Sequence, residues 1–445
     1  MSARALLARW LGAARSGLAS RPLLAALTAN TGWLLGEKIL RLLIGLVVGA
    51  LTVRYLGPEQ FGLLSYALAF VTLVSVLANL GLDALVVRDI ARKPQARDAI
   101  LGSAFVLRAA GALVAVSVAA AAGALLDTAA PGLRLLAFVT ALSLIFQALD
   151  PIDAWFKSQL RARVAVIARN TAFLIASGTR LLLIWTEAPL LWFAVMITAE
   201  AALSALALLI AYRTEGSRLL DWRPDYVTMR ELARQGWPLM LAGLMVSLYM
   251  RIDQVMLGQM AGTQALGLYS AAVLISEPLH FVPMAIVASA APVLAQWHRS
   301  DPALFHVRME DLFRVLLLVA AAMALPISLL ARPLAEFLFG PEFRDTGPVL
   351  SVHVWAGVFV ALGIASSQYL VLEDLVRISA QRTLVGAVLN IVLNLLWIPR
   401  YGALGCAWAT LISYAVASIF LFQTPSSRRC LALMARALRP GRRPA

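Results

Sequence analysis

Residues 30–53 read NTGWLLGEKILRLLIGLVVGALTV. The segment is long and apolar enough to cross a bilayer, which takes about 20 such residues. Yet its centre, GEKILR (Gly36–Arg41), carries Glu37, Lys38 and Arg41. Each ionised residue near the middle of a lipid-facing helix costs about 2.5–3.5 kcal/mol on insertion scales. On a helical wheel, Asn30, Glu37, Lys38, Arg41, Gly45 and Thr52 share one face, and Leu, Ile, Val and Trp cover the rest. A helix with one polar stripe turns it toward other helices or toward water. Glu37 and Arg41 are also an i,i+4 pair in the favourable order. The stripe is therefore either an ion-paired fastener between helices or, for Arg41 at mid-depth above all, a working group.

The rest of the chain has the same character. Of 445 residues, 61% are hydrophobic and only 14% charged, where soluble domains are about 25% charged. The mean hydropathy is +0.81. A polytopic all-α membrane protein is the class that fits. About twelve apolar runs can be marked, near 26–53, 61–86, 100–126, 133–155, 165–185, 189–212, 236–258, 264–296, 312–331, 347–371, 379–398 and 402–422. The run at 264–296 is too long for one straight helix, and Pro278, Pro283 and Pro292 predict a kink or break there.

The net charge of +14 does not point to nucleic acid, because the cations sit in short loops. With the N-terminus inside, most of the 38 Lys and Arg fall on inner loops, and the outer side keeps Arg54, Arg134, Arg332, Arg344 and Arg400. This positive-inside pattern predicts both termini in the cytoplasm. Arg377 and Arg382 are counted with an inner loop. Residues 1–25 read as a basic amphipathic segment on the membrane, 213–235 as a cytoplasmic linker and 423–445 as a basic cytoplasmic tail.

An internal repeat organises the spans. LGPEQFGLLSYA (Leu56–Ala67) follows the first, and MAGTQALGLYSA (Met260–Ala271) the seventh. Both keep two glycines five apart, Gly57/Gly62 and Gly262/Gly267, and then a Ser/Tyr pair. Two six-span halves, 26–212 and 236–422, are expected, related as parallel repeats. Gly45 and Gly49 form a G-x-x-x-G expected to mark close helix packing.

Motifs for chemistry are missing. No Gly-Lys dipeptide occurs, so there is no Walker A loop, and no H-E-x-x-H or nucleophile–base motif stands out. The two cysteines, Cys406 and Cys430, supply neither a disulfide framework nor metal spacing. No catalytic residue, metal or cofactor is expected.

Candidate residues are therefore the charges inside spans. Arg41, Lys38, Arg108, Arg180 and Arg251 stand at different depths, as a moving anion requires. Guanidinium suits phosphate because it stays protonated and presents planar paired donors. Arg169 lies near enough to the inner surface to snorkel and is set aside. Glu37, Glu200, Asp253 and Glu277 are either arginine partners or sites for a coupling proton or cation. Asp150 and Asp153 lie near an inner end, where they can simply face water. Asn390 and Asn394, an i,i+4 amide pair, read as glue between helices.

EKILRLLIGLVVGALTVRYLGPEQFGLLSYALAFVTLVSVLANLGLDALVVRDIAR (Glu37–Arg92) resembles the opening of bacterial polysaccharide, O-antigen type, flippases. These belong to the superfamily of multidrug, oligosaccharidyl-lipid and polysaccharide exporters. RIDQVMLGQMAGTQALGLYSAA (Arg251–Ala272) resembles the start of that family's second half, and IPRYGALGCAWATLISY (Ile398–Tyr414) its last hairpin. The resemblance implies two pseudo-symmetric six-helix lobes around a central cavity and alternating access. It implies an undecaprenyl-diphosphate-linked oligosaccharide cargo in the bacterial inner membrane, meeting cavity arginines, with Arg41 the best match. It further implies membrane lipids as partners, proton or sodium coupling, and contacts with polysaccharide polymerase machinery. A cation-coupled multidrug exporter of the same superfamily is the alternative. A membrane glycosyltransferase or polymerase, which needs a catalytic group on an external loop, is a more distant one.

Overall fold

A computed structural model describes residues 22–126 and 132–438. Most of the segment expected to lie on the membrane, residues 1–21, is outside that range. Among the described residues every regular element is helical. In chain order these are α1 (Pro22–Asn79), α2 (Leu82–Arg92), α3 (Arg97–Leu126), α4 (Leu133–Ala141), α5 (Ser143–Phe146), α6 (Pro151–Ser158), α7 (Ala162–Trp185) and α8 (Leu190–Thr214). Then follow α9 (Tyr226–Ser276), α10 (Phe281–Ser300), α11 (Pro302–Leu329), α12 (Ala331–Phe339), α13 (Thr346–His353), α14 (Ala356–Leu372), α15 (Val376–Ile419) and α16 (Pro425–Ala437).

Among the described residues, nine stretches are long and apolar enough to cross a membrane. Three of them, Gly36–Arg92, Tyr226–Ser300 and Val376–Ile419, each hold two crossings that reverse at a glycine, which turns nine into twelve. The reversal points are Gly57 (φ 70, ψ 173), Gly262 (φ 87, ψ 172) and Gly402 (φ 53, ψ −132). Positive φ with extended ψ is open essentially to glycine alone. Pro58 then starts the next helix, where its missing N–H costs nothing. The two glycines of the sequence repeat thus share one backbone conformation. The break expected in 264–296 falls at a 3₁₀ turn, Glu277–His280, built around Pro278.

The chain packs as two compact units. The first gathers residues up to Val48, Val74–Leu125 and Arg134–Gly243. Its core joins Leu82, Val86 and Ile90 of α2 to Leu101 and Ala104 of α3, Ile152 and Phe156 of α6, and Leu208 and Tyr212 of α8. The connection between α8 and α9 is short and strapped to this unit. Arg223 N donates to the Asp98 carbonyl (3.2 Å), Asp225 N to Ser103 Oγ (3.1 Å), and Trp222 Nε1 to Tyr212 OH (3.0 Å). Asp225 accepts from the Thr228 backbone N–H and hydroxyl at the start of α9, both 2.9 Å, and these bonds hold its carboxyl below the usual range. The 226–235 part of the expected linker is therefore helical.

The second unit comprises Gly49–Leu73, Leu126–Leu133 and the chain from Leu244. In it α14 packs along α15 and α11, and α10 packs on α11. Within the expected tail, α16 is a helix capped by Thr424 and packed on α11 and α14 through Cys430, Leu433 and Met434. Burial pushes the Cys430 thiol up to about 12. The repeat glycines meet inside this unit. A Cβ added to Gly62 would lie 1.8 Å from the Thr263 carbonyl oxygen, and one added to Gly267 would lie 1.8 Å from that of Pro58. Each recess glycine thus receives the residue that follows the other copy's turn glycine. The G-x-x-x-G expectation needs correcting. A Cβ on Gly49 would meet Leu274 Cδ2 at 3.2 Å, but one on Gly45 would meet nothing within 4 Å, so only half of the pair is at a close contact.

Candidate functional site

In the first unit the charged stripe of α1 lines a cavity of about 750 Å³, inside the about 300–1,000 Å³ usual for ligand clefts. Glu37, Lys38 and Arg41 come from α1, Lys157 from α6, Arg169 from α7, and Glu200 and Ser204 from α8. Ser143, Phe146, Gln147 and Asp150 come from a broken stretch of helix. That break has a local cause. Leu133–Ser158 is one membrane-length stretch in which α5 gives way to a 3₁₀ turn, Gln147–Leu149, and α6 restarts at Pro151. Proline cannot donate the hydrogen bond that would continue a helix. Irregular backbone at membrane depth is tolerated where protein or a polar cavity surrounds it. Here it points Gln147 and Asp150 into the cavity. The lining holds four cations (Lys38, Arg41, Lys157, Arg169) and three carboxylates (Glu37, Asp150, Glu200).

Arg41 is the loosest member of this network. Its ion pairs with Glu37 (3.4 Å) and Glu200 (3.7 Å) are long. One Nη2–H donates to the Arg169 carbonyl at 3.0 Å, and the guanidinium lies over the Phe173 ring at 4.9 Å. Its Nε has no hydrogen-bond partner. Glu200 keeps its close contact, 2.8 Å, for Arg180. Arg41 is also a third exposed, so it presents charge to the cavity.

The other expected cations stand elsewhere. Arg108 is outside the cavity lining and only 2% exposed, held by Asp83 (2.6 Å), Asp150 (3.3 Å) and Asn79. Arg180 sits behind Glu200. In the second unit, Arg251 makes a two-pronged pair with Glu277 at 2.9 and 3.1 Å. Of the expected acids, Glu37, Glu200 and Glu277 each face an arginine. Asp253 differs. It is buried and accepts from the Tyr269 hydroxyl (2.5 Å), Thr410 Oγ1 (3.2 Å) and Gln254 N (2.7 Å), and among the described residues it forms no ion pair. Asn390 Nδ2 donates to the same Thr410 (3.4 Å), and Asn394 Nδ2 to Asn390 (2.9 Å), while Asn394 Oδ1 is buried without a partner.

Three residues require correction. Arg169, set aside as able to snorkel, lines the cavity and bridges Asp150 (3.5 Å) and Asp153 (3.2 Å). Asp150, expected to face water at a helix end, is the hub between Arg108 and Arg169. Arg382, counted with a loop, is buried inside α15. The i,i+3 spacing of Asp150 and Asp153 was the available signal for the first two, since an arginine able to reach both must lie on a neighbouring helix.

Residues 27–298 match the family model described as "Polysaccharide biosynthesis protein", more than half of the chain. The chain belongs to that family. A second model, MatE, matches residues 238–396. Among curated relatives, a probable flippase, AglR, of Haloferax volcanii is 29% identical over 208 residues, 44% of this chain and 41% of that protein. The amylovoran biosynthesis protein AmsL of Erwinia amylovora is 27% identical over 244 residues, 52% of this chain and 60% of that one. The chain thus spans about half the length of these two relatives. Among solved structures, an inward-facing multidrug resistance MATE transporter superposes with a TM-score of 0.71 at 17% identity, over 88% of this chain and 95% of that one. The lipid II flippase MurJ, inward closed, gives 0.69 at 12% identity, over 92% and 91%. At these identities the likeness establishes the fold.

Proposed function

We propose that this protein moves a polyprenyl-diphosphate-linked oligosaccharide from the inner to the outer leaflet of the bacterial inner membrane, with both termini in the cytoplasm. The observation that carries the reading is Arg41: a cavity-facing guanidinium on long ion pairs, with Nε–H unbonded. A diphosphate entering the cavity exchanges a weak carboxylate contact for a charge-assisted paired one. Lys38 and Arg169 add positive charge to the same wall, while Arg108 and Arg180 hold Asp150 and Glu200 in place. The positive-inside loops support the orientation, and the relatives named for flipping and for polysaccharide synthesis support the cargo class. Outward movement of a negative head group is favoured by an inside-negative potential, at about 2.3 kcal/mol per charge per 100 mV if the whole field is crossed.

Asp253 is the proposed coupling residue. Glu37, Glu200 and Glu277 are occupied by arginines, whereas Asp253 has only hydroxyl and amide partners. A proton or sodium ion taken up there would neutralise it.

The test compares Arg41→Ala with Arg41→Lys in a strain that depends on this protein for surface polysaccharide. The alanine variant is expected to lose export at least tenfold at normal protein level, and lysine to restore part of it. Full export by the alanine variant would refute the role of Arg41. Two observations favour a second reading: three carboxylates line the cavity, which suits organic cations, and the MatE model covers residues 238–396. Drug sensitivity on deletion, with polysaccharide intact, would select that exporter.

A further inference from the structure

Arg382 stands apart from the other arginines within the spans. Arg41, Arg108, Arg169, Arg180 and Arg251 each have a carboxylate within 4 Å. Arg382 is 6% exposed and has none among the described residues. Its hydrogen bonds all go to neutral acceptors: Ser366 Oγ, Ser367 Oγ and the Gly363 carbonyl at 2.7 Å. None of them uses Nε. A buried guanidinium with no counter-charge is costly. This one also borders a cavity of about 250 Å³ within the second unit.

That cavity has two kinds of wall. Arg382 and the Ser367 hydroxyl it donates to are polar parts of the lining, and Val246, Met250, Phe359, Val360 and Ile364 are apolar ones. The stacked rings of Tyr249 and Tyr414, 4.5 Å apart, border it as well. The packing keeps Tyr249 in place, because a Cβ on Gly386, one turn after Arg382, would sit 2.6 Å from its ring. Arg382 is six residues into α15, so about 9 Å along the helix from its start at about 1.5 Å per residue. Ser366 and Ser367 lie at the matching end of α14. The charge therefore lies within about two turns of one end of the α14–α15 hairpin, and apolar residues line the same cavity.

We propose that this cavity is a lipid phosphate site: Arg382 receives a phosphate ester, and the lipid's chain runs along Val246, Met250 and Phe359. The missing counter-charge is then supplied by the ligand. The shared chemistry fits a phosphatidate or a polyprenyl phosphate, and binding distinguishes them. The site goes beyond the translocation reading and does not rest on it.

The experiment is a thermal-shift and calorimetric titration of the purified full chain in detergent. The probes are farnesyl diphosphate, a short-chain phosphatidic acid, farnesol and inorganic diphosphate. The wild type is expected to bind farnesyl diphosphate or phosphatidic acid, and whichever binds tighter names the source. Arg382→Gln is expected to lose that binding at least tenfold, while Arg161→Gln, which removes an exposed cation paired with Glu215, retains it. Ile364→Trp, which fills the apolar wall without touching the charge, is expected to weaken binding at an unchanged unfolding temperature. Equal affinity in the wild type and Arg382→Gln would overturn the proposal. So would farnesol binding as tightly as the better of the two lipid phosphates, or inorganic diphosphate binding that tightly in the wild type and being lost in Arg382→Gln.

Discussion

The first unit meets its buried cations with carboxylates, whereas the second does so for Arg251, paired with Glu277, but leaves two buried charges without a counter-charge among the described residues. In the first, Arg108, Arg169, Asp150 and Asp153 form a continuous network in which each cation touches at least one carboxylate. In the second, Arg382 and Asp253 are both buried, and each is solvated by hydroxyl, amide or carbonyl groups alone. A paired network is self-sufficient and holds helices in register. A charge met only by neutral dipoles keeps an unfilled electrostatic demand, which a mobile ion or ligand can meet. On the two proposals above, full pairing marks scaffold and incomplete pairing marks a place where something binds. Arg41, on long pairs beside tight ones, falls between the two.

Substitutions can break this contrast, and the largest effect is expected at Arg108. Arg108→Ala removes a 2%-exposed cation that braces Asp150, and should cost about 3–5 kcal/mol, read as a lowered unfolding midpoint in detergent. Glu277→Gln strips Arg251 of its two-pronged partner and should cost about 1.5–3 kcal/mol by the same measurement. The smallest change is expected at Arg382→Gln, under about 1 kcal/mol, because the lost hydrogen bonds are offset by removing an uncompensated charge. If Arg382→Gln proved as damaging as Arg108→Ala, the contrast between the units would fail. Asp253→Asn sharpens it on the acidic side: folding should persist while transport loses its dependence on the coupling gradient, measured in vesicles with and without that gradient.

Much of the fold could be read from residues that do one thing only. Gly57 and Gly262 announce two reversals because few other residues accept their backbone angles, and the spacing to Gly62 and Gly267 repeats. The α1 stripe was legible because helical periodicity collects Glu37, Lys38 and Arg41 on one side. What periodicity does not carry is which stripes meet. Arg169 sits close to a helix end, so its depth alone gave no hint that Asp150 and Asp153 would draw it into the cavity wall. Arg382 was hidden by its neighbours: Arg377, Gln381 and Thr383 lower the local hydropathy, so it is counted with the inner loop although it falls inside the run marked at 379–398, and α15 already starts at Val376. Gly45 failed for the complementary reason, since a glycine pattern records an opportunity for close approach and not the approach itself.

The reciprocal seating of Gly62 on Thr263 and of Gly267 on Pro58 has an evolutionary corollary. The two repeated turns here serve as each other's mould. A bulkier residue in either mould displaces the carbonyl of the other copy, so neither copy is free to diverge at these sites on its own. Similarity between the copies should therefore outlast, at these few positions, divergence elsewhere in the two hairpins.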